Sequence, residues 1–233
     1  MSAAPTSPCH TLDVVAPAPR ATEPRRRRAD GEATRARVLQ ATIESILEKG
    51  YYQTSSNEIA RRAGVTWGAI QHLFGTREQL LLEVMNDRWH ALQEQVATAQ
   101  IEGETLEDRL AGVADVLSTH YGQPAALAQM QITLDLSHDP NTSKETREAV
   151  AVHGERLVEA WEPLFAQALG PAANDFELVA FAFAALRGFI QGNLIATTIG
   201  AKPSSRTQRR LLVYGVASAL RLRAAEKGLE LDD

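Results

Sequence analysis

Apolar side chains recur at intervals of three and four along almost the whole chain from Glu32 onward, and strand-like alternation is absent. Leu39, Ile43, Ile46 and Leu47 share one face of an early segment. Leu81, Met85, Trp89, Leu92 and Val96 form a stripe on a later, longer one. Helix starts are marked where Ser, Thr or Asn is followed three residues on by Glu, Gln or Asp, because such a pair satisfies backbone N–H groups of a first turn. Ser55, Thr76, Thr105, Thr142, Asn174 and Ser205 meet that rule. Gly50, Gly64, Gly75, Gly103, Pro140, Gly170-Pro171 and Gly200 supply the stops. The pattern predicts an all-α fold of about nine helices, over 32–49, 56–62, 66–73, 76–101, 105–121, 124–138, 143–169, 174–199 and 205–227.

Residues 1–31 differ from the rest. They are rich in Pro and small residues and end near Arg25-Arg26-Arg27-Arg28, so they are expected to be a disordered, Arg-containing arm. Either it is a plain solvated tail or it reaches into a neighbouring minor groove. The single cysteine, Cys9, excludes an internal disulfide framework and a zinc site built on several thiolates. Absence of disulfides fits a reducing compartment, and a cytoplasmic, bacterial, nucleoid-associated protein is expected. The longest oily stretch, Phe176 to Ile199, carries Glu177, Arg187, Gln191 and Asn193, so no membrane partner is expected. Neither a secretory signal nor a long-period repeat is read from the chain.

The net charge of −5 at first argues against a nucleic-acid partner. Its distribution reverses that inference. Residues 1–90 carry 12 Lys or Arg against 10 Asp or Glu, and residues 91–233 carry 12 against 19. The acidic excess therefore lies wholly in the second part.

The first part holds a helix-turn-helix pattern. Ile59 and Ala60 form a small apolar pair on the second predicted helix, Gly64 permits a tight turn, and Val65 plugs the junction. Thr66 caps the third helix. Ile70, Leu73 and Phe74 stand at i, i+3 and i+4 and must face inward, which leaves Thr66, Trp67, Gln71 and His72 for the major groove and its phosphates.

From about Thr34 to Val84 the residues resemble the DNA-binding domain of TetR (tetracycline-repressor-like) regulators. The likeness lies in Gly50-Tyr51, Thr54, Ile59-Ala60, Ala63-Gly64-Val65-Thr66, Gly68-Ala69-Ile70, His72, Phe74, Thr76-Arg77-Glu78 and Leu80-Leu81. It implies a two-domain helical homodimer on a palindromic double-stranded DNA operator, released by a ligand in the larger domain. Helix-turn-helix pattern and resemblance together give Arg28, Thr54, Ser55, Thr66, Trp67, Gly68, Gln71, His72 and Arg77 as DNA-contact candidates. The family often has Tyr at the position of Gln71. Glutamine can bond a phosphate or read adenine through two hydrogen bonds. Trp67 either meets the groove or packs on the second helix.

The division expected is the arm at 1–31, the helix-turn-helix domain at 32–78 and a ligand-binding and dimerisation domain at 79–233. Pocket candidates are Leu92, Val96, Leu117, Tyr121, Met130, Leu134, His153, Trp161, Phe165 and Asn193, with a small apolar or amphipathic effector. The last two helices carry more apolar surface than one core face needs. Phe181, Leu186, Phe189, Ile190, Leu212, Val216 and Leu220 are the expected homodimer interface. No cofactor, metal or enzyme activity is expected, since there is no phosphate-cradling Gly loop, nucleophile elbow or His pair at metal spacing. The competing readings are a ligand-independent DNA-binding regulator or activator and, more remotely, a helical enzyme.

Overall fold

The computed structural model describes the backbone of residues 23–231 and the side chains of residues 30–231. Cys9 and the arm up to residue 22 lie outside the described residues. Among the described residues there is no strand, and ten α-helices follow one another. They are α1 (Glu23–Lys49), α2 (Ser56–Ala63), α3 (Trp67–Phe74), α4 (Arg77–Thr98) and α5 (Leu106–Tyr121). Then come α6 (Pro124–His138), α7 (Lys144–Glu155), α8 (Glu162–Leu169), α9 (Phe176–Thr198) and α10 (Arg206–Lys227).

All nine expected segments are present, and three details differ. α1 begins at Glu23, so the backbone over 23–31 is helical where disorder is expected from composition. Pro24 falls in the first turn, where its missing N–H costs nothing, and Arg is a good helix former. The segment expected as one helix over 143–169 is interrupted by a 3-10 turn at Glu159–Trp161. The cause is Pro163. In mid-helix its ring would clash with the carbonyl four residues back, but it fits the first turn of a new helix, α8. Two caps also lie one residue later than read. Ser143 rather than Thr142 accepts from Thr146 N, and Asp175 rather than Asn174 accepts from Glu177 N and Leu178 N.

The remaining caps are as expected. Thr76 with Gln79, Thr105 with Asp108 and Ser205 with Gln208 form reciprocal capping boxes. Gly64 closes α2 in the left-handed region (φ 68°), a conformation that a side chain disfavours.

Two apolar cores share α4. The first joins Val38, Leu39 and Ile46 of α1, Ile59 of α2, Ile70 and Phe74 of α3, and Leu80, Leu81, Val84 and Met85 of α4. It also takes in Ile132 and Leu136 of α6 and Val150 of α7, so the first four helices are packed directly on α6 and α7. The second core contains Leu92 and Val96 from the far half of α4, with α5, α8, α9 and α10 around Trp161, Phe165 and Phe183. Side chains as fully buried as Ile59, Ile70 and Leu81 each contribute about 1.5–3 kcal/mol.

Candidate nucleic-acid interface and effector cavity

The short helix α3 is fixed from below and at both ends. Ile70 and Phe74 are buried, Thr66 Oγ1 accepts from Ala69 N at 3.2 Å, and the N–H of Gly75 closes the last turn on Gln71 O. Thr66, Gly68, Gln71 and His72 are exposed on its outer side. A Cβ added at Gly68 would meet only Thr66 Oγ1, at 3.9 Å, so this face is open. Trp67 is half-buried against the first core, which gives it a packing role on its inner edge. Ser55 is exposed at the start of α2, where its side chain accepts from Glu58 N.

Two expected DNA contacts point inward instead. Thr54 is buried; its hydroxyl donates to Gly50 O at 2.9 Å and accepts from Ser45 Oγ at 3.1 Å, which leaves nothing for a phosphate. Arg77 lies over the Tyr51 ring at 4.5 Å and donates to Tyr51 O at 3.1 Å. Both therefore hold the turn before α2 in place. Arg28 sits on the α1 backbone, and its side chain is outside those described.

Ion pairs brace the outer side of α2. Arg62 pairs with Glu48, and Glu58 lies between Lys49 and Arg61. Hydrogen bonds from Arg61 and Lys49 hold the Glu58 carboxyl at about 2, against the opposing effect of burial.

A cavity of about 200 Å³ opens between α4, α6, α7 and α9. Of the expected pocket residues, Tyr121, Met130, Leu134 and His153 line it. Asn193 lies elsewhere, in a cleft of about 450 Å³ between α5, α9 and α10, and its Oδ1 accepts from Ser204 N at 2.8 Å. Leu92, Val96, Leu117, Trp161 and Phe165 are 0–6% exposed and line neither space. They are wall and core: Trp161 Nε1 donates to Tyr121 Oη at 3.1 Å and so fixes the ring that faces the cavity.

Sequence reasoning missed the charges. Arg187 lines the cavity, with its guanidinium 5.4 Å from the Tyr121 ring centre and 5.5 Å from that of Phe183. Its Nε donates to Gln191 Oε1 at 3.1 Å. Behind the wall, Arg88 donates to Gln129 Oε1 at 2.7 Å and to His120 O at 2.9 Å, and burial lowers its affinity for its proton. His120 is buried edge-on against Tyr121 and Trp161. Burial first, then the charge of Arg88, brings its pKa down to about 4. His153 meets Trp89 edge-on with ring centres 5.0 Å apart, and its buried Nε2 has no hydrogen-bond partner among the described residues. The only signal in the sequence was a lone Arg in the otherwise apolar run of α9.

A carboxylate ties this cavity to the recognition unit. Glu78, in the first turn of α4, accepts from Ser143 Oγ at 2.7 Å, Thr146 Oγ1 at 2.7 Å and Ser143 N at 3.3 Å, all at the start of α7. Burial raises the Glu78 carboxyl, but these bonds outweigh it and the net displacement is downward. The same α7 carries Val150 and His153 to the cavity wall.

The expected dimer face divides in two. Leu186, Ile190, Val216 and Leu220 are buried in the chain's own second core, because they fall on the inner sides of α9 and α10. Phe181 is 47% exposed, and Phe189 and Leu212 are half-buried. With them Ile195, Leu211, Tyr214 and Leu222 leave a broad apolar surface uncovered. By length and composition α9 could cross a membrane, with 33% of its apolar window buried; the buried third is what anchors it in the core.

Residues 38–84 match the family model of bacterial regulatory proteins, tetR family. The transcriptional regulator SrpR of Pseudomonas putida is 35% identical over 69 residues, 30% of this chain and 32% of that protein. The regulator BetI of Agrobacterium fabrum is 26% identical over 136 residues, 58% of this chain and 61% of that protein. The chain thus spans about a third to six-tenths of the length of these curated relatives. In fold it is similar to the transcriptional regulator FadR from Bacillus subtilis solved with stearoyl-CoA. That likeness has a TM-score of 0.55 at 19% identity over 80% of this chain and 96% of the other. The segment that carries the exposed α3 face thus matches the DNA-binding domain of the tetR family of bacterial regulatory proteins.

Proposed function

We propose that the protein is a transcriptional regulator that binds a palindromic operator as a homodimer and is released from it by a small molecule held in the larger domain. It acts as a repressor. The observation that carries this reading is α3, whose exposed Thr66, Gly68, Gln71 and His72 form one polar face on a rigid apolar base. A helix presented in that way fits the major groove, and its phosphates take up the hydroxyl and imidazole contacts. The relatives' names and the ligand in the FadR structure support regulation and a bound effector. The Glu78 bridge gives a cavity ligand a physical route to α3, since any shift of α7 pulls on the start of α4.

The test is fluorescence anisotropy with duplexes from upstream of the protein's own gene. Thr66→Ala and His72→Ala are expected to weaken binding without unfolding the chain. If both bind as tightly as the unaltered protein, α3 is not the reading helix.

A further inference from the structure

We infer that the effector of this cavity is a small amphipathic anion, a carboxylate whose charged group meets Arg187 while its apolar body lies against Met85, Met130 and Leu157. The inference rests on the effector reading above and adds the ligand's charge to it. Thirteen residues line the cavity; one is a guanidinium and none is a carboxylate. Among the described residues neither Arg187 nor Arg88 forms an ion pair, although both are half-buried or deeper. A buried cation without a counter-charge is costly. The chain offers only neutral partners: the Gln191 side chain and two aromatic faces for Arg187, and the Gln129 side chain and a carbonyl for Arg88.

Arg187 overlies the Tyr121 ring and Arg88 donates to the carbonyl of the neighbouring His120, so both positive charges lie on the Tyr121 side of the cavity. A planar carboxylate is the group that an Arg fork matches through paired hydrogen bonds. A cationic ligand would meet the opposite arrangement, with a like charge at the wall and nothing to neutralise it.

The experiment uses the full chain and three pairs of probes: benzoate, 3-phenylpropionate and octanoate, each against its neutral amide. Trp89, edge-on against the cavity residue His153, reports binding by intrinsic fluorescence. At least one carboxylate is expected to saturate and to bind about tenfold or more tightly than its amide. Arg187→Gln is expected to abolish that preference and Arg187→Lys to keep most of it. Arg187 also stacks on two rings; if Arg187→Gln fails to fold, the acid–amide comparison in the unaltered protein decides by itself. Amides that bind as well as acids, acids that do not saturate, or a preference unchanged in Arg187→Gln would each overturn the inference. The same titration on the protein–DNA complex separates the two readings. A carboxylate that binds yet leaves the complex intact contradicts release by effector and leaves the anion site standing. A neutral molecule that releases the DNA does the reverse.

Discussion

At the scale of single residues, the α3 face and its support make different demands. Thr66 both caps α3 and is exposed beside the groove face. Thr66→Ala is therefore expected to cost about 1 kcal/mol of folding stability as well as DNA affinity. His72 is exposed with no structural bond, so His72→Ala is expected to cost about 1–3 kcal/mol of DNA binding and to leave the urea midpoint unchanged. A His120 effect appears instead in the pH dependence of stability. Its folded pKa of about 4 lies below the ordinary 6.5, so the folded state holds it neutral and the unfolded state protonates first. Its contribution is full above 6.5 and is lost as pH falls from 6.5 to 4. The slope is at most about 1.4 kcal/mol per pH unit, one proton's worth. Urea unfolding across that range is expected to show a shallower slope in His120→Gln. Much of the residue-level site was legible: helical spacing alone turned Ile70 and Phe74 inward and Gln71 and His72 outward. Thr54 and Arg77 were not, because their partners, Ser45, Gly50 and Tyr51, are reached only when α1, α2 and α4 meet.

At the scale of elements, seven of the nine expected helices lie within a few residues of those observed, most of them placed by capping chemistry, since Ser, Thr and Gly act on their own neighbours. The interruption at Pro163 was equally local and could have been read from its position inside an expected helix. The coupling of α4 to α7 could not, because Glu78 and Ser143 lie 65 residues apart and neither is unusual in composition. Glu78→Gln keeps the shape but halves the acceptors and removes the charge. A hydrogen bond to a charged group is worth about 1.5–3 kcal/mol, so a loss near that size is expected in chemical unfolding. The ligand-induced change in DNA affinity is expected to shrink as well. A variant that keeps both stability and full ligand response would show that α7 does not report to α4 through this carboxylate. The link is also expected to weaken in acid, since the Glu78 carboxyl is displaced downward and its bonds are lost only as pH falls through that lowered value.

At the scale of the whole molecule, the sequence pattern located the apolar excess on α9 and α10 but assigned its sides imperfectly. Four of seven interface candidates are core, and Ile195, Leu211, Tyr214 and Leu222 carry the exposed surface. α9 is apolar around most of its circumference, so periodicity could not separate its inner from its outer side. A second copy packed on that surface would bury it in a four-helix interface. Phe189→Glu, at a half-buried position of α9, is expected to give monomers in sedimentation velocity that bind operator poorly. A dimer that survives the substitution would place the interface elsewhere. The −5 charge has its explanation at this scale too, as an acidic body joined to a near-neutral reader. The most direct test of that reader is selection of the purified full chain on a random duplex library. The account predicts enrichment of a two-fold symmetric sequence whose half-sites lie about one helical turn apart or a multiple of it, lost in His72→Ala. A pool that stays random after selection, or an enriched sequence that His72→Ala binds equally well, would contradict it.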